Sequence, residues 1–583
     1  MDYDFKFSIL MPIYNVEKYL GDSIDSLINQ SIGFKENVEL IIVDDGSPDN
    51  SKDIALKYQE QYPDNIKIFS KTNGGQASAF NLGLEHINGK YVNFLDSDDC
   101  ISSNTLLEVY NFFEEHFDEI DVVSIPLKLF ERKTGDHVLN YKFKSTRVID
   151  LMEEPYNPQF SIASSFIKNE SFKGLKFDTE LISWYDAIMV NKILLSKKKY
   201  GVISSCHYNY RKRFSSTSST DNYRQKKQSF TDTLRRYHIN LINYAIEKEG
   251  YVPKFIQCAL VYPIQWLYSV SNLSDFLSKD EINEFWETAY EVLSYVDEDV
   301  IMNSRIVKKE MVRSYLMYIK NRKDFHIETV DNQSKIFLKT EDSIIGNLHH
   351  NRIYIDNIKW ENGNLRLLGT FTSLCDYKAL HVEVIKTLCD GTKQVFKEQS
   401  KYFSNDNLKI TRILGIDWKF KHYFDLRIPI EKDEESKIEL QIVYNENEKN
   451  IAMNNLIKLR ETAPLDDIID YFVIESKIIS FKENSFKVYP YSYEKAHELK
   501  QELLSYIRDL LESEKNLKKE NKSLNKKNQS LNKKNQSLNK KNEKLKAQLK
   551  KTQDLNKEIL NSNSWKITKP IRMPKQIIKN RKE

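Results

Sequence analysis

The sequence predicts an α/β domain built on a mainly parallel sheet, then a helical region, a β-sandwich-like domain and a C-terminal coiled coil. Three observations predict this order. Short apolar segments alternate with helical ones up to about residue 125, β-forming segments without intervening helices fill 345–460, and leucines recur every seven residues beyond 500. Alternating strands and helices make a sheet wrapped by helices, runs of short strands a sandwich, and a sustained heptad a coiled-coil seam. At 583 residues the chain is too long for one core, and domains of roughly 100 to 200 residues divide it into three or four units.

Strands are expected at 7–13, 39–43, 66–69 and 91–95, with helices after most of them. They end in Tyr14-Asn15, Asp44-Asp45-Gly46-Ser47, Asn73-Gly74-Gly75 and Asp96-Ser97-Asp98-Asp99. Ligands of open α/β sheets bind outside the carboxyl ends of the strands, so four strand ends bring polar groups to one edge. The last cluster holds three carboxylates in four residues. Hard oxygen donors suit Mg²⁺ or Mn²⁺, which takes one or two carboxylates and completes its shell with substrate phosphates. The cluster therefore points to a metal-bound nucleotide diphosphate. Alone it reads equally as a solvated turn capping the next helix; four converging strand ends are much harder to explain as chance turns.

Residues 126–220 are mixed, with an apolar segment at 160–167, an acidic region at 178–186 and a basic stretch at 208–220. Aliphatic and aromatic spacing predicts helices over 233–245, 255–270, 282–296 and 311–319. Strands are expected at 352–359, 365–370, 379–385, 423–430 and 438–444, separated by Asn-Gly, Asp-Gly and charged turns. The resulting division is the α/β domain at 1–220, a helical extension at 221–340, the β domain at 345–460, a connector at 461–500, a coiled coil at 501–560 and a basic tail at 561–583.

Leu503, Leu510, Leu517, Leu524, Leu531, Leu538 and Leu545 take one heptad position, and Asn521, Asn528, Asn535 and Asn542 stand three residues before a leucine. Leucine at d with asparagine at a favours a parallel, in-register homo-oligomer, a rod of roughly 80 to 90 Å. The repeated Ser-Leu-Asn-Lys-Lys-Asn also fits a solvated low-complexity repeat. In the tail, Trp565, Ile567 and Ile571 are interleaved with Lys566, Lys569 and Arg572. That is the composition of an anchor at an anionic membrane surface, or of a disordered basic tail. No nucleic-acid recognition fold accompanies it.

A net charge of +3 conceals this basic end, since the rest of the chain is balanced or mildly acidic. Five dispersed cysteines, without CxxC spacing, argue against a disulfide framework or a zinc site and fit a reducing compartment. The start Met1-Asp2-Tyr3-Asp4 lacks a secretory pattern, and no uncharged apolar run is long enough to span a bilayer. A cytoplasmic location, peripheral at the inner membrane face, is the expectation.

The words Ser8-Ile9-Leu10-Met11-Pro12-Ile13-Tyr14-Asn15, Ile42-Val43-Asp44-Asp45-Gly46-Ser47, Asn73-Gly74-Gly75 and Val92-Asn93-Phe94-Leu95-Asp96-Ser97-Asp98-Asp99 resemble those of the family 2 glycosyltransferases. That resemblance covers residues 6 to about 220 and implies a GT-A, Rossmann-like fold and an inverting, metal-dependent transfer from a nucleotide sugar. The later organisation is similar to bacterial transferases that decorate or build teichoic acids and capsules. The resemblance implies that Pro12, Tyr14 and Asp45 surround the nucleoside, that Asn73 and Gly74 belong to the donor site, that Asp96 faces ribose or metal, and that Asp98 is the main metal ligand. It puts Asp186, in Phe177-Asp178-Thr179-Glu180-Leu181-Ile182-Ser183-Trp184-Tyr185-Asp186, at the position of the catalytic base. The residue-level alternative for Asp186 is a helix N-cap. Tyr185 stands where the family has Glu.

The basic segment Tyr208-Asn209-Tyr210-Arg211-Lys212-Arg213-Phe214-Ser215-Ser216 resembles a loop that closes over the diphosphate, which implicates Arg211, Arg213 and Ser216. His207 is read as structural before metal-binding. Phe80 replaces an arginine that approaches the base in many relatives, and it cannot hydrogen-bond a base carbonyl. A uridine donor is the expectation, with a thymidine nucleotide or another donor left open. The acceptor is expected to be a cell-surface glycan, teichoic acid or capsular precursor. Two competing readings are a non-catalytic scaffold, which needs none of Asp45, Asp96, Asp98 and Asp186, and a nucleotidyltransferase, which wants a Gly-rich, Lys-bearing loop absent from 12–16.

Overall fold

The computed structural model describes residues 3–214, 226–303, 305–323, 326–330, 335–340, 344–347, 351–374, 380–399, 401–402, 410–446, 449–453, 455–459, 471–474, 477–482 and 484–502, and then 504–505, 508, 512–520, 522–523, 541, 548 and 551. The chain forms two compact units. One comprises Met1–Glu431, Ser436–Asp466 and Glu483–Phe486; the other comprises Lys432–Glu435, Asp467–Lys482 and Lys487–Glu583.

In the first unit, β1 (Phe5–Ile13), β2 (Val38–Asp44), β3 (Ile66–Ser70) and β4 (Gly89–Phe94) pair in parallel in the order β3-β2-β1-β4. Every residue of β2 is buried, as a strand covered on both faces requires. Helices α1 (Leu20–Ile28), α2 (Ser51–Gln61) and α3 (Gln76–Leu84) provide the crossovers. Phe7, Ile9 and Met11 of β1 pack with Leu20, Ile24 and Leu27 of α1 in one apolar cluster. That packing fixes the strand ends relative to each other.

Beyond β4 the sheet is mixed, with antiparallel pairs added to a sheet that stays mainly parallel, as expected. Strand β6 (Val122–Ser124) is followed by β9 (Arg147–Asp150), β10 (Ser165–Lys168) and β11 (Lys199–Val202), after the short β5 (Cys100–Ile101), β7 (Leu127–Glu131) and β8 (Gly135–Asp136). β10 lies antiparallel between β4 and β6, β11 is parallel to β6, and β9 is antiparallel to β11. A parallel return needs a crossover, usually a helix; residues 151–164 supply none. β12 (Tyr208–Lys212) joins a second sheet of order β5-β12-β7-β8. This carries the basic segment back to the residues that follow Asp99.

The helical extension contains Asn240–Glu249, Lys254–Ile264, Lys279–Ser294 and Glu310–Lys320, close to the expected segments, but Thr233–Ile239 is wound as a π-helix. The β region follows its sequence pattern. Arg352–Glu361 and Asn364–Leu374 form a hairpin whose Asn362 and Gly363 both have positive φ, the conformation an Asn-Gly turn favours. Asn364–Leu374 pairs with Ile416–Pro429, where buried residues alternate with less buried ones. Leu380–Leu388 pairs with Lys393–Gln399 and with Ser436–Glu446.

In the second unit, Tyr471–Ile474 pairs with Lys477–Lys482, and Ile478, Tyr489 and Leu499 form a small apolar cluster. Among the heptad positions only Leu517 is described, exposed within helical residues 512–520. The other heptad leucines, the heptad asparagines and the basic tail lie outside the described residues. Among those described, no helix is long and apolar enough to cross a membrane.

Gly89 marks a close strand approach in the first sheet, against β1. A Cβ there would meet the Ser8 backbone nitrogen at 2.4 Å. Gly89→Ala should lower unfolding free energy by about 1 to 3 kcal/mol, as overpacking does, measured by chemical denaturation of the full chain.

Candidate active site

Asp45 follows β2 at the carboxyl edge and is nearly buried. Its Oδ1 accepts hydrogen bonds from Gly74 N at 2.9 Å and Lys71 Nζ at 2.7 Å, and its Oδ2 accepts one from Gly75 N at 2.8 Å. Gly75 has φ +83 and directly precedes α3; glycine takes that conformation without steric cost. Thus Asp45 and Gly74, singled out separately in the sequence, form one turn around a single carboxylate. Asn73 is exposed in that turn, Pro12 is part-buried in β1, and Tyr14 is 49% exposed just beyond it.

The acids after β4 divide by environment. Asp99 is fully buried and accepts the Tyr208 hydroxyl at 2.9 Å and Arg211 N at 2.6 Å, which ties β12 to the cluster. Burial, then the charges of Asp98 and Asp96, hold its pKa well above the usual carboxylate range. Asp96 is pushed up to about 7 by burial and by the charge of Asp98, against the opposing hydrogen bond from Gln76. Asp98 is part-exposed, and its Oδ2 accepts Arg213 Nε at 2.6 Å.

Arg211 does not present a free guanidinium. Its Nε donates to the Asp98 carbonyl at 2.7 Å, its two terminal nitrogens donate to Glu131 and Asp22, and its plane lies between the rings of Tyr19 and Phe130. With only 9% of it exposed, the geometry makes Arg211 a brace for the Asp96 to Asp99 turn. Arg213 lies over the other contact of that turn, also against Tyr19, and is the cation nearer to a ligand role. Ser216 lies outside the described residues. His207 uses its backbone to bracket Ser102, donating to its hydroxyl and accepting from its N–H.

Asp186 stands in the first turn of α5 (Tyr185–Lys197, with α4 spanning Thr105–Glu115). Trp184, immediately before the helix, has φ +68 and packs against Tyr237 and Tyr262 of the helical extension. That contact stabilises a left-handed conformation that bulky residues rarely adopt. Burial pushes Asp186 up to about 6, opposed by the backbone N–H groups of Ala187, Asp186 itself and Ile162. Its charge also contributes to the upward shift of Asp96, so the two acids share one electrostatic neighbourhood. The preceding loop is held by Arg236, which donates to both oxygens of Asp178 and to Glu180.

Phe80 lies in an aromatic cluster with Phe94, Phe177 and Tyr185, with ring centroids 4.8, 5.3 and 6.4 Å away. It thereby packs against the segment that carries Asp186. Sequence reading missed Lys71, Tyr19, Asp22 and Gln76. Gln76 had the clearest signature, a polar residue opening a helix directly after Gly74-Gly75.

Residues 8–175 match the family model described as Glycosyl transferase family 2. The minor teichoic acid biosynthesis protein GgaA of Bacillus subtilis is 37% identical over 305 residues, 51% of this chain and 68% of that protein. The chain belongs to glycosyl transferase family 2. Its likeness to GgaB of the same organism, also a minor teichoic acid biosynthesis protein, is 33% over 495 residues, or 83% of this chain. The chain spans about half of GgaB, 54% of its length. The poly(ribitol-phosphate) beta-glucosyltransferase of Bacillus spizizenii is 32% identical over 212 residues, 35% of this chain and 32% of that protein.

The Asp96 N–H donates to the Tyr208 hydroxyl at 3.3 Å while that hydroxyl donates to Asp99. Tyr208→Phe removes a donor from one buried group and an acceptor from another. It should cost about 1 to 3 kcal/mol of stability, read from urea unfolding at constant m-value.

Proposed function

We propose that this family 2 glycosyltransferase moves a sugar from a nucleotide diphosphate, UDP first among donors, with inversion onto a teichoic acid or related cell-surface polymer precursor. The observation that carries the reading is the pairing of acids at one sheet edge. Asp96 and Asp98 lie together beside a cation, while Asp186 stands apart at the start of a helix with its own backbone donors. The names of GgaA, GgaB and the poly(ribitol-phosphate) transferase support the polymer class of the acceptor.

In this reading Asp186 takes the proton from the attacking acceptor hydroxyl as the sugar centre becomes oxocarbenium-like, the role of a general base in inverting transfer. A carboxyl held near 6 is ionised at neutral pH yet basic enough to share that proton. Arg213 turns from Asp98 toward the diphosphate, and Ser216 adds a hydroxyl donor. Pro12, Tyr14, Asp45, Asn73 and Gly74 border the nucleoside, with Asp45 shaping the turn as well as facing the base.

Asp98, with Asp96 beside it, would hold Mg²⁺ or Mn²⁺. The fit rests on the donor set: two hard carboxylates one residue apart, one of them pushed up to about 7 partly by the other's charge, which a divalent cation would relieve. Bound there, the ion would neutralise charge developing on the leaving diphosphate. Among the described residues no group of three or more His, Cys, Asp or Glu is arranged to hold a metal, so substrate phosphates would complete the shell.

The finer architecture belongs to the same proposal. The β region would be a sandwich-like spacer or glycan-binding module, the heptads a parallel oligomerising rod, and the basic tail a contact with the inner face of an anionic membrane.

Two outcomes test the chemistry. Asp98→Ala should reduce nucleotide-sugar turnover by at least about a hundredfold, whereas Asp186→Asn should retain binding of UDP with Mn²⁺ and lose transfer, about 10² to 10⁴-fold being the range of a lost general base. Near-normal turnover in either variant contradicts its assignment. In wild type, protonating the base abolishes its function, so kcat/KM should fall as pH drops through about 6 and level off above it; a flat profile from pH 5 to 7 contradicts the role.

A further inference from the structure

Resting on that functional reading, we infer that Gln76 and Tyr185 are positioning residues which tie the donor-side acid Asp96 to the helix that carries the base. The Tyr185 hydroxyl donates to Gln76 Oε1 at 2.7 Å, and Gln76 Nε2 donates to Asp96 Oδ1 at 2.6 Å. The chemistry fixes the direction of this chain. With Asp96 ionised its oxygen accepts, so the amide turns its nitrogen to Asp96 and its oxygen to the phenol.

Each member is itself located by a different part of the fold. Gln76 opens α3 immediately after Gly75, whose N–H donates to Asp45. Tyr185 opens α5 one residue before Asp186, and its ring packs near Phe80 and Phe177, with centroids 6.4 and 6.3 Å away. Burial and the charges of Asp186 and Asp96 hold the phenol well above its ordinary pKa, which keeps it a donor. The chain therefore connects the turn built on Asp45, the acid pair after β4 and the base helix. At a position where the family resemblance puts Glu, this protein has a phenol that reaches Asp96 through an amide and adds no further negative charge beside Asp186.

Such a link makes donor-side affinity depend on a residue of the acceptor-side helix. Removing an outer-shell partner of a ligand-binding carboxylate costs about ten- to a hundredfold in affinity or activity.

The test is calorimetric binding of Mn²⁺ with UDP, and of Mn²⁺ with dTDP as a second probe, to the full chain carrying Tyr185→Phe, Gln76→Met or both. Tyr185→Phe keeps the ring in its aromatic cluster and Gln76→Met keeps the side-chain length. Each single variant should bind about ten- to a hundredfold more weakly. The double variant should lose no more than the weaker single one, because both break the same chain; independent structural damage would add. Unchanged affinity in both single variants, or additive losses, overturns the inference while leaving the transferase reading intact. A wild-type chain that binds neither probe overturns that reading and the inference with it.

Discussion

Concentrated negative charge at the carboxyl edge of the catalytic sheet is the constraint around which the site is organised. Asp45, Asp96, Asp98 and Asp99 follow strand ends of one sheet, and Asp186 lies close enough to raise Asp96. An unpaired buried carboxylate is expensive, so each acid needs its own compensation. Asp45 has two backbone N–H groups and Lys71; Asp99 has a phenol and a backbone N–H; Asp98 has Arg213; Asp186 has the N–H groups at its helix start. Asp96 has the Gln76 amide and the charge of Arg213, which burial and the charges of Asp98 and Asp186 outweigh, so its pKa stays raised.

The same bookkeeping explains why parts far apart in sequence are needed to finish the site. Tyr208 and Arg211 arrive on β12 more than a hundred residues after the acids they brace. Trp184, strained at positive φ, is packed by Tyr237 and Tyr262, and Arg236 holds the loop before Asp186. The helical extension thus contributes to the position of Asp186 through Tyr237, Tyr262 and Arg236.

Much of the catalytic half was legible because its cues are local. Buried parallel strands read as continuous apolar runs, and Asp45, Asp96 and Asp98 stand immediately after them. The second half of the sheet was not legible as antiparallel, since β10 is only four residues long and its place between β4 and β6 is decided by long-range pairing. The family resemblance implicated Arg211 in holding the diphosphate; its three oxygen partners and two flanking rings, none adjacent in sequence, brace the acid turn in this structure. Phe80 looked like a lost base contact, yet its aromatic partners include residues about a hundred positions away. In the β region, Asn362-Gly363 announced its hairpin because the turn chemistry is contained in two residues.

In the proposed mechanism Asp186 acts as a base apart from the acids that would hold the leaving group, which requires direct displacement at the sugar carbon and therefore inversion. The most direct measurement is the anomeric configuration of the product formed from an α-linked nucleotide sugar, read from the anomeric proton coupling of the transferred residue. The account predicts a β-linked product with one nucleoside diphosphate released per transfer. An α-linked product would contradict it.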